Sequence, residues 1–141
     1  MPDVGLTHIA LPVSDMDRSV AFYERYAGMQ VVHRRPRATG PARDVVWLSD
    51  RTRPFAIVLV DMGEVERALG PFAHLGVATE TREDVDRLAA MARDEGLTVA
   101  GPRDAGAIVG YYCMIQDPDD HTLELSYGQD VGSAVEGQGA R

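Results

Sequence analysis

At 141 residues the chain suits one domain or two small modules sharing a core, and it is too short for a doubly wound enzyme with a separate substrate domain. All 14 basic side chains are arginine, which excludes Schiff-base lysine chemistry, pyridoxal phosphate attachment and a P-loop lysine. The net charge of −8 argues against nucleic acid or an anionic membrane surface as partner, and a lone cysteine, Cys113, excludes a disulfide framework and a multi-cysteine zinc site.

Leu6–Val13 reads as a strand. Ser14 is the candidate N-cap of a helix through DMDRSVAFYERY, with Val20, Phe22, Tyr23 and Tyr26 on its apolar side and Gly28 as its stop. Strands Gln30–Arg34, Asp44–Ser49 and Phe55–Val60 follow, the last two joined by the turn DRTRP. Arg35–Arg43, with two prolines and a glycine, reads as a loop. Gly63–Gly70 is a connector, with a helical turn as one option.

The second half repeats the order. Phe72–Thr79 is a strand, and a helix runs from Thr81 through REDVDRLAAMARDE to Gly96. Thr81 and Asp84 open it as a capping box, and Val85, Leu88, Ala89 and Ala92 fall at helical spacing. Strands Leu97–Ala100, Gly110–Gln116 and Thr122–Tyr127 complete the unit, the last two joined by DPDD. The tail from Gln129, rich in Gly, Ala and Ser, reads as disordered. The expected fold is α+β: a βαβββ module over 1–62, a connector over 63–70, a second βαβββ module over 71–128 and a tail over 129–141. One such module alone could hardly close a core.

Strand alternation places the chemistry. Ile9, Leu11 and Val13 form one face and His8 and Ala10 the other. Ala73, Leu75 and Val77 oppose His74, Gly76 and Ala78, and Leu123, Leu125 and Tyr127 oppose Thr122, Glu124 and Ser126. His8, His74 and Glu124 therefore lie away from the core faces, among small or short polar neighbours. A lone strand histidine is ordinarily exposed or locally hydrogen-bonded. Matched histidines in both repeats, with a carboxylate closing the second, favour a metal. Two histidines and one carboxylate form the set of non-haem Fe(II) sites, and Zn(II), Mn(II), Ni(II) and Co(II) suit the same ligands.

Three stretches, THIALPVSDMDRSVAFYERYAGMQVV, FAHLGVATETREDVDRL and YYCMIQDPDDHTLELSYG, give the chain a resemblance to the vicinal oxygen chelate superfamily over roughly residues 4 to 128. That superfamily groups glyoxalase I, fosfomycin- and bleomycin-resistance proteins and extradiol dioxygenases. The resemblance implies two βαβββ modules whose curled mixed sheets form a metal-binding cavity, with His8, His74 and Glu124 as ligands. It also implies a homodimer, often with modules exchanged between chains. The closing turn departs from the family's DPDGN, with Asp120 and His121 in the last two places. Ala56–Val60 (AIVLV) offers no carboxylate, which argues against a four-ligand glyoxalase I site.

The implied function is a divalent-metal-dependent enzyme whose small substrate chelates the metal through adjacent oxygens. With Fe(II), the first choice, dioxygenation follows; with the other metals, isomerase, epimerase or lyase chemistry. The alternative is a metal-free, drug- or ligand-sequestering protein of the bleomycin-resistance type, a branch that does not keep the three ligands. Tyr111, Tyr112 and His121 are further catalytic candidates as proton donors or acceptors. For the tyrosines the bland account is packing with a wet hydroxyl, and for His121 a solvated turn. Trp47, Met114 and Arg34 are candidates for a substrate pocket. Arg34, Arg35 and Arg37 form a basic cluster that could steer an anionic substrate. Cys113 reads as a buried small apolar residue. No apolar run approaches the roughly 20 residues that span a bilayer, and MPDVGLTH has neither a basic start nor an apolar signal core, so a cytoplasmic location is expected.

Overall fold

The period-2 and period-3.6 patterns become two sheets, each covered on one face by a helix, in a computed structural model that describes residues 2–36 and 43–137. The chain divides into two units. The first comprises residues up to Pro71 together with Asp117–His121, and the second Phe72–Gln116 and the chain from Thr122 onward.

In the first unit β1 (His8–Val13), α1 (Met16–Ala27), β2 (Gln30–Arg35), β3 (Val45–Ser49) and β4 (Ala56–Asp61) give the sheet order β1-β4-β3-β2. β1 runs parallel to β4, and the other pairs are antiparallel. Leu11, Val13, Val46, Leu48, Ile57 and Leu59 are buried, as are Phe22, Tyr23 and Tyr26 of α1. At roughly 1.5–3 kcal/mol for each large side chain removed from water, that aromatic stripe holds the helix to its sheet. Gly28 ends α1 in the left-handed conformation, as the sequence predicts. The N-cap is Asp15 rather than Ser14: its side chain accepts from the Arg18 N–H at 3.2 Å. Either side chain could cap. Ser14 is drawn off instead, its N–H and hydroxyl both donating to the Asp119 carboxylate.

The second unit repeats the plan with β5 (Leu75–Ala78), α2 (Arg82–Asp94), β6 (Val99–Asp104), β7 (Tyr111–Gln116) and β8 (Thr122–Tyr127), in the order β5-β8-β7-β6. β5 and β8 are the parallel pair. The Thr81/Asp84 capping box forms reciprocally, and Val85, Leu88, Ala89 and Ala92 are buried, as are Cys113, Ile115, Leu123 and Leu125 of the sheet. The fold is therefore α+β with two βαβββ units. Register shifts in β2 between Val31 and His33, and in β6 between Ala100 and Arg103, interrupt strict alternation.

Several expectations need correction. β6 continues to Asp104, and Gly63–Gly70 forms bends without a helical turn. The tail is not wholly irregular: Val131–Gly137 forms a short helix, α3, with the Ala134 N–H bonded to the Asp130 carbonyl. Asp130 ahead of the run is a good helix-starting residue that composition alone conceals. Residues 37–42, the middle of the predicted loop, and 138–141, the end of the predicted tail, lie outside the described residues.

Candidate metal centre

Glu124 sits at the middle of β8, opposite Gly76 on one side and Met114 on the other. It is only 5% exposed. A Cβ at position 76 would lie 3.6 Å from Glu124 Oε1, an ordinary contact distance, so this position borders the carboxylate directly. Gln129 Nε2 donates to Glu124 Oε1 at 2.7 Å and fixes its orientation. His74 lies just ahead of β5, its Nδ1 2.7 Å from the Phe72 carbonyl. A carbonyl only accepts, so Nδ1 carries a proton and the neutral ring presents a lone pair at Nε2. That Nε2 is 3.4 Å from Glu124 Oε2. Two acceptors facing each other need a cation between them, either a proton on the ring or a metal ion. A histidine tied through Nδ1–H to a backbone carbonyl is the usual support of a metal ligand.

In the first unit His8 opens β1 opposite Ala56. Its Nδ1 is 2.9 Å from Thr7 Oγ1. That hydroxyl can donate or accept, so the contact suits the tautomer with Nδ1–H and a lone pair at Nε2, the form a metal needs, without selecting it. Within each unit, among the described residues, no three His, Cys, Asp or Glu side chains come together as a metal site. The fit therefore rests on the donor chemistry of His74 and Glu124, a matched imidazole and a buried, oriented carboxylate.

The exposed face of the first sheet also holds an open cleft of about 460 Å³, lined by His33, Arg35, Arg43, Val45, Trp47, Val58 and Val60. Trp47 is 44% exposed, and His33 meets it edge-on at 4.8 Å between ring centres. Arg34 does not line the cleft. It pairs with Asp44 at 3.1 Å and lies 3.9 Å from Asp17. Arg35 and Arg43 stand there instead, and Arg37 lies outside the described residues. The β2 register shift decides which arginine faces the cleft, and alternation counted along the sequence does not register such a shift.

The remaining candidates separate clearly. Tyr112 pairs with Ser126 and shares the Glu124 face, as does Met114. Tyr111 faces α2, where its hydroxyl donates to Asp86 and the Arg82 guanidinium lies 3.8 Å from its ring centre. The bond to Asp86 foremost, then desolvation, raises its pKa. His121 is not a solvated turn residue: it is 1% exposed. The Leu69 N–H donates to its Nδ1 at 2.8 Å, so Nε2 carries the proton and donates to the Pro12 carbonyl at 2.7 Å. Both nitrogens are committed to the backbone. Cys113 is fully buried, and burial pushes its thiol up to about 11, against a nucleophilic role.

The sequence matches the family described as the Glyoxalase/Bleomycin resistance protein/Dioxygenase superfamily over residues 5–125. The chain belongs to that superfamily. It is 40% identical over 134 residues to the uncharacterized protein PA2024 of Pseudomonas aeruginosa, a match covering 93% of this chain and 94% of that one. It is 25% identical over 143 residues to a probable lactoylglutathione lyase of Vibrio parahaemolyticus, covering 97% and 100%. Among solved structures, the superfamily fold is shared with the fosfomycin resistance protein FosX of Listeria monocytogenes. The TM-score is 0.73 at 18% identity, covering 96% of this chain and 100% of that one. A possible glyoxalase from Bacillus cereus gives a TM-score of 0.69 at 23% identity, covering 88% and 99%.

Proposed function

We propose that this superfamily member is a divalent-metal-dependent enzyme whose small substrate chelates the metal through adjacent oxygens, with His8, His74 and Glu124 as ligands. The facing pair of His74 Nε2 and Glu124 Oε2 at 3.4 Å carries the reading. His8 completes the set from the first unit, either of the same chain or of a second copy in a homodimer with exchanged modules. Fe(II) is our first assignment for two imidazoles and a carboxylate; Zn(II), Mn(II), Ni(II) and Co(II) take the same donors. The Listeria FosX structure is a complex with Mn(II), which supports a divalent metal in this fold.

When bound, the metal would supply Lewis acidity to two adjacent substrate oxygens. The chain's residues do the rest. The Phe72 carbonyl keeps His74 in the tautomer with a free Nε2, and Gln129 aims the carboxylate of Glu124. Tyr112, on the Glu124 face, is the candidate to move a proton, whereas Tyr111 and His121 are held elsewhere. The metal's identity would separate dioxygenation from isomerase, epimerase or lyase chemistry. No helix among the described residues is long and apolar enough to cross a membrane.

The test is metal content by mass spectrometry on untagged protein purified anaerobically, wild type beside Glu124→Ala. About one metal per chain, lost in the variant, supports the reading. No metal in the wild type, and no uptake of any of the five ions, sinks it and leaves ligand sequestration as the better account.

A further inference from the structure

We propose that the cleft on the first sheet recognises an oxyanion, and that the substrate is a small organic anion whose apolar or planar body lies on Trp47 while Arg35 and Arg43 hold its charged head. The assignment as substrate rests on the enzyme reading above; the anion site itself rests on the cleft.

The strand register lays out the face in rows. Ala10, Val58, Trp47 and His33 form one row, and Pro12, Val60, Val45 and Arg35 the next. The floor is therefore valine and tryptophan; Arg35 stands at its β2 side, and Arg43 beyond the Val45/Val60 row, next to Asp61 at the end of β4. Arg43 donates one N–H to the Asp61 carbonyl, and neither Arg35 nor Arg43 has a carboxylate partner among the described residues. Arg34, Arg82 and Arg87 each have one. What sets Arg35 and Arg43 apart is that two guanidiniums with no carboxylate partner among the described residues line one cleft beside an exposed indole, where an anion from outside can meet both. The net charge of −8 repels anions at long range, so the attraction must come from these local groups. A guanidinium fork matches a carboxylate or phosphonate with two parallel hydrogen bonds. An exposed indole beside apolar side chains suits a ring or short hydrocarbon. His8 lies on the same face, one row back and two strands from Trp47, roughly 12 Å between Cα atoms from strand spacings. One face thus carries the anion cleft and the first proposed metal ligand.

Trp47 is the only tryptophan, so its fluorescence reports the cleft. Metal-stripped full-length protein is titrated at low salt with phenylacetate, phenylphosphonate and the neutral 2-phenylacetamide. We expect saturable binding of an anion at least ~10-fold tighter than of the amide, with the preference weakened by 1 M salt. Arg35→Gln and Arg43→Gln should each reduce that preference toward unity, and the tighter anion tells carboxylate from phosphonate. Equal affinity for anion and amide, or no saturable change, overturns the proposal. Metal uptake measured on the same wild-type and Arg35→Gln samples separates the two readings. Uptake without anion preference in the wild type removes the anion site alone. Anion preference without uptake keeps the anion site and removes the metal. Uptake retained in Arg35→Gln with the preference lost supports both.

Discussion

His74 turns Nε2 toward Glu124 Oε2 at 3.4 Å, while its other nitrogen is tied to the Phe72 carbonyl. A buried carboxylate facing a lone pair is costly until a cation arrives. Glu124→Gln should therefore be at least as stable as wild type without metal, by up to about 2 kcal/mol. Metal at 100 times its dissociation constant should stabilise the wild type by roughly 2.7 kcal/mol and the variant hardly at all. Thermal unfolding of both proteins, with and without each of the five candidate divalent ions, checks the reversal. If a ring proton fills the gap instead, Glu124→Gln will be destabilising and neither melting temperature will respond to metal.

Gln129 touches Glu124 and belongs to the segment after β8, so its role is positioning. Gln129→Ala should lower metal affinity about 10- to 100-fold, as loss of a ligand's orienting partner commonly does. Its unfolding free energy in urea without metal should change by no more than about 0.5 kcal/mol, because the residue is near the surface. Competition with a chromophoric chelator measures the first and denaturation the second. Unchanged affinity would show that Glu124 needs no such support.

The repeat, α1, α2 and the last strand were legible because hydrophobic period and caps act locally: Thr81 with Asp84, and Gly28 after α1, behave as their chemistry dictates. The facing of His74 and Glu124 followed from alternation around Gly76. What stayed hidden depends on distant groups or on register. Ser14 lost the cap to Asp15 because Asp119, far along the chain, takes its hydrogen bonds. The β2 shift put Arg35, not Arg34, in the cleft. Nothing local marks His121 as buried, since Leu69 and Pro12 that bind it are remote in sequence.

For that reason His121 should matter to stability first. Its neutral ring joins the Leu69 N–H to the Pro12 carbonyl, and removing it strands both groups while opening a void. His121→Ala should lose about 2–4 kcal/mol in urea denaturation, one unmet backbone group costing roughly 1–3 kcal/mol before the void is added. His121→Gln, which can still reach one partner, should lose less. At a temperature where both variants remain folded, metal uptake should match the wild type. A loss of uptake with full stability would move His121 into the chemistry.

Asp117 makes the same turn depend on pH. One carboxylate oxygen accepts the N–H groups of Asp119 and His121, and the other accepts the Tyr23 hydroxyl at 2.7 Å. Burial raises its carboxyl pKa above the ordinary value, outweighing the hydrogen bonds that pull it down, of which Tyr23's is the largest. A carboxyl raised on folding favours its neutral form in the native state. Its contribution is complete below the unfolded value of 3.8 and is lost as pH rises through the higher folded value. Asp117→Asn carries no charge at any pH and mimics the neutral acid, its amide N–H donating to the Tyr23 hydroxyl oxygen. It should lie within about 1 kcal/mol of wild type near pH 4, with any gap closing or reversing toward pH 7 as the wild type bears a buried charge. Tyr23→Phe removes the strongest bond to the ionised form, so it should lose stability more steeply than wild type over the same rise in pH. Urea denaturation of the three proteins at pH 4, 5, 6 and 7 measures both slopes. A gap for Asp117→Asn that widens with pH would mean that the turn stabilises the carboxylate more than burial opposes it.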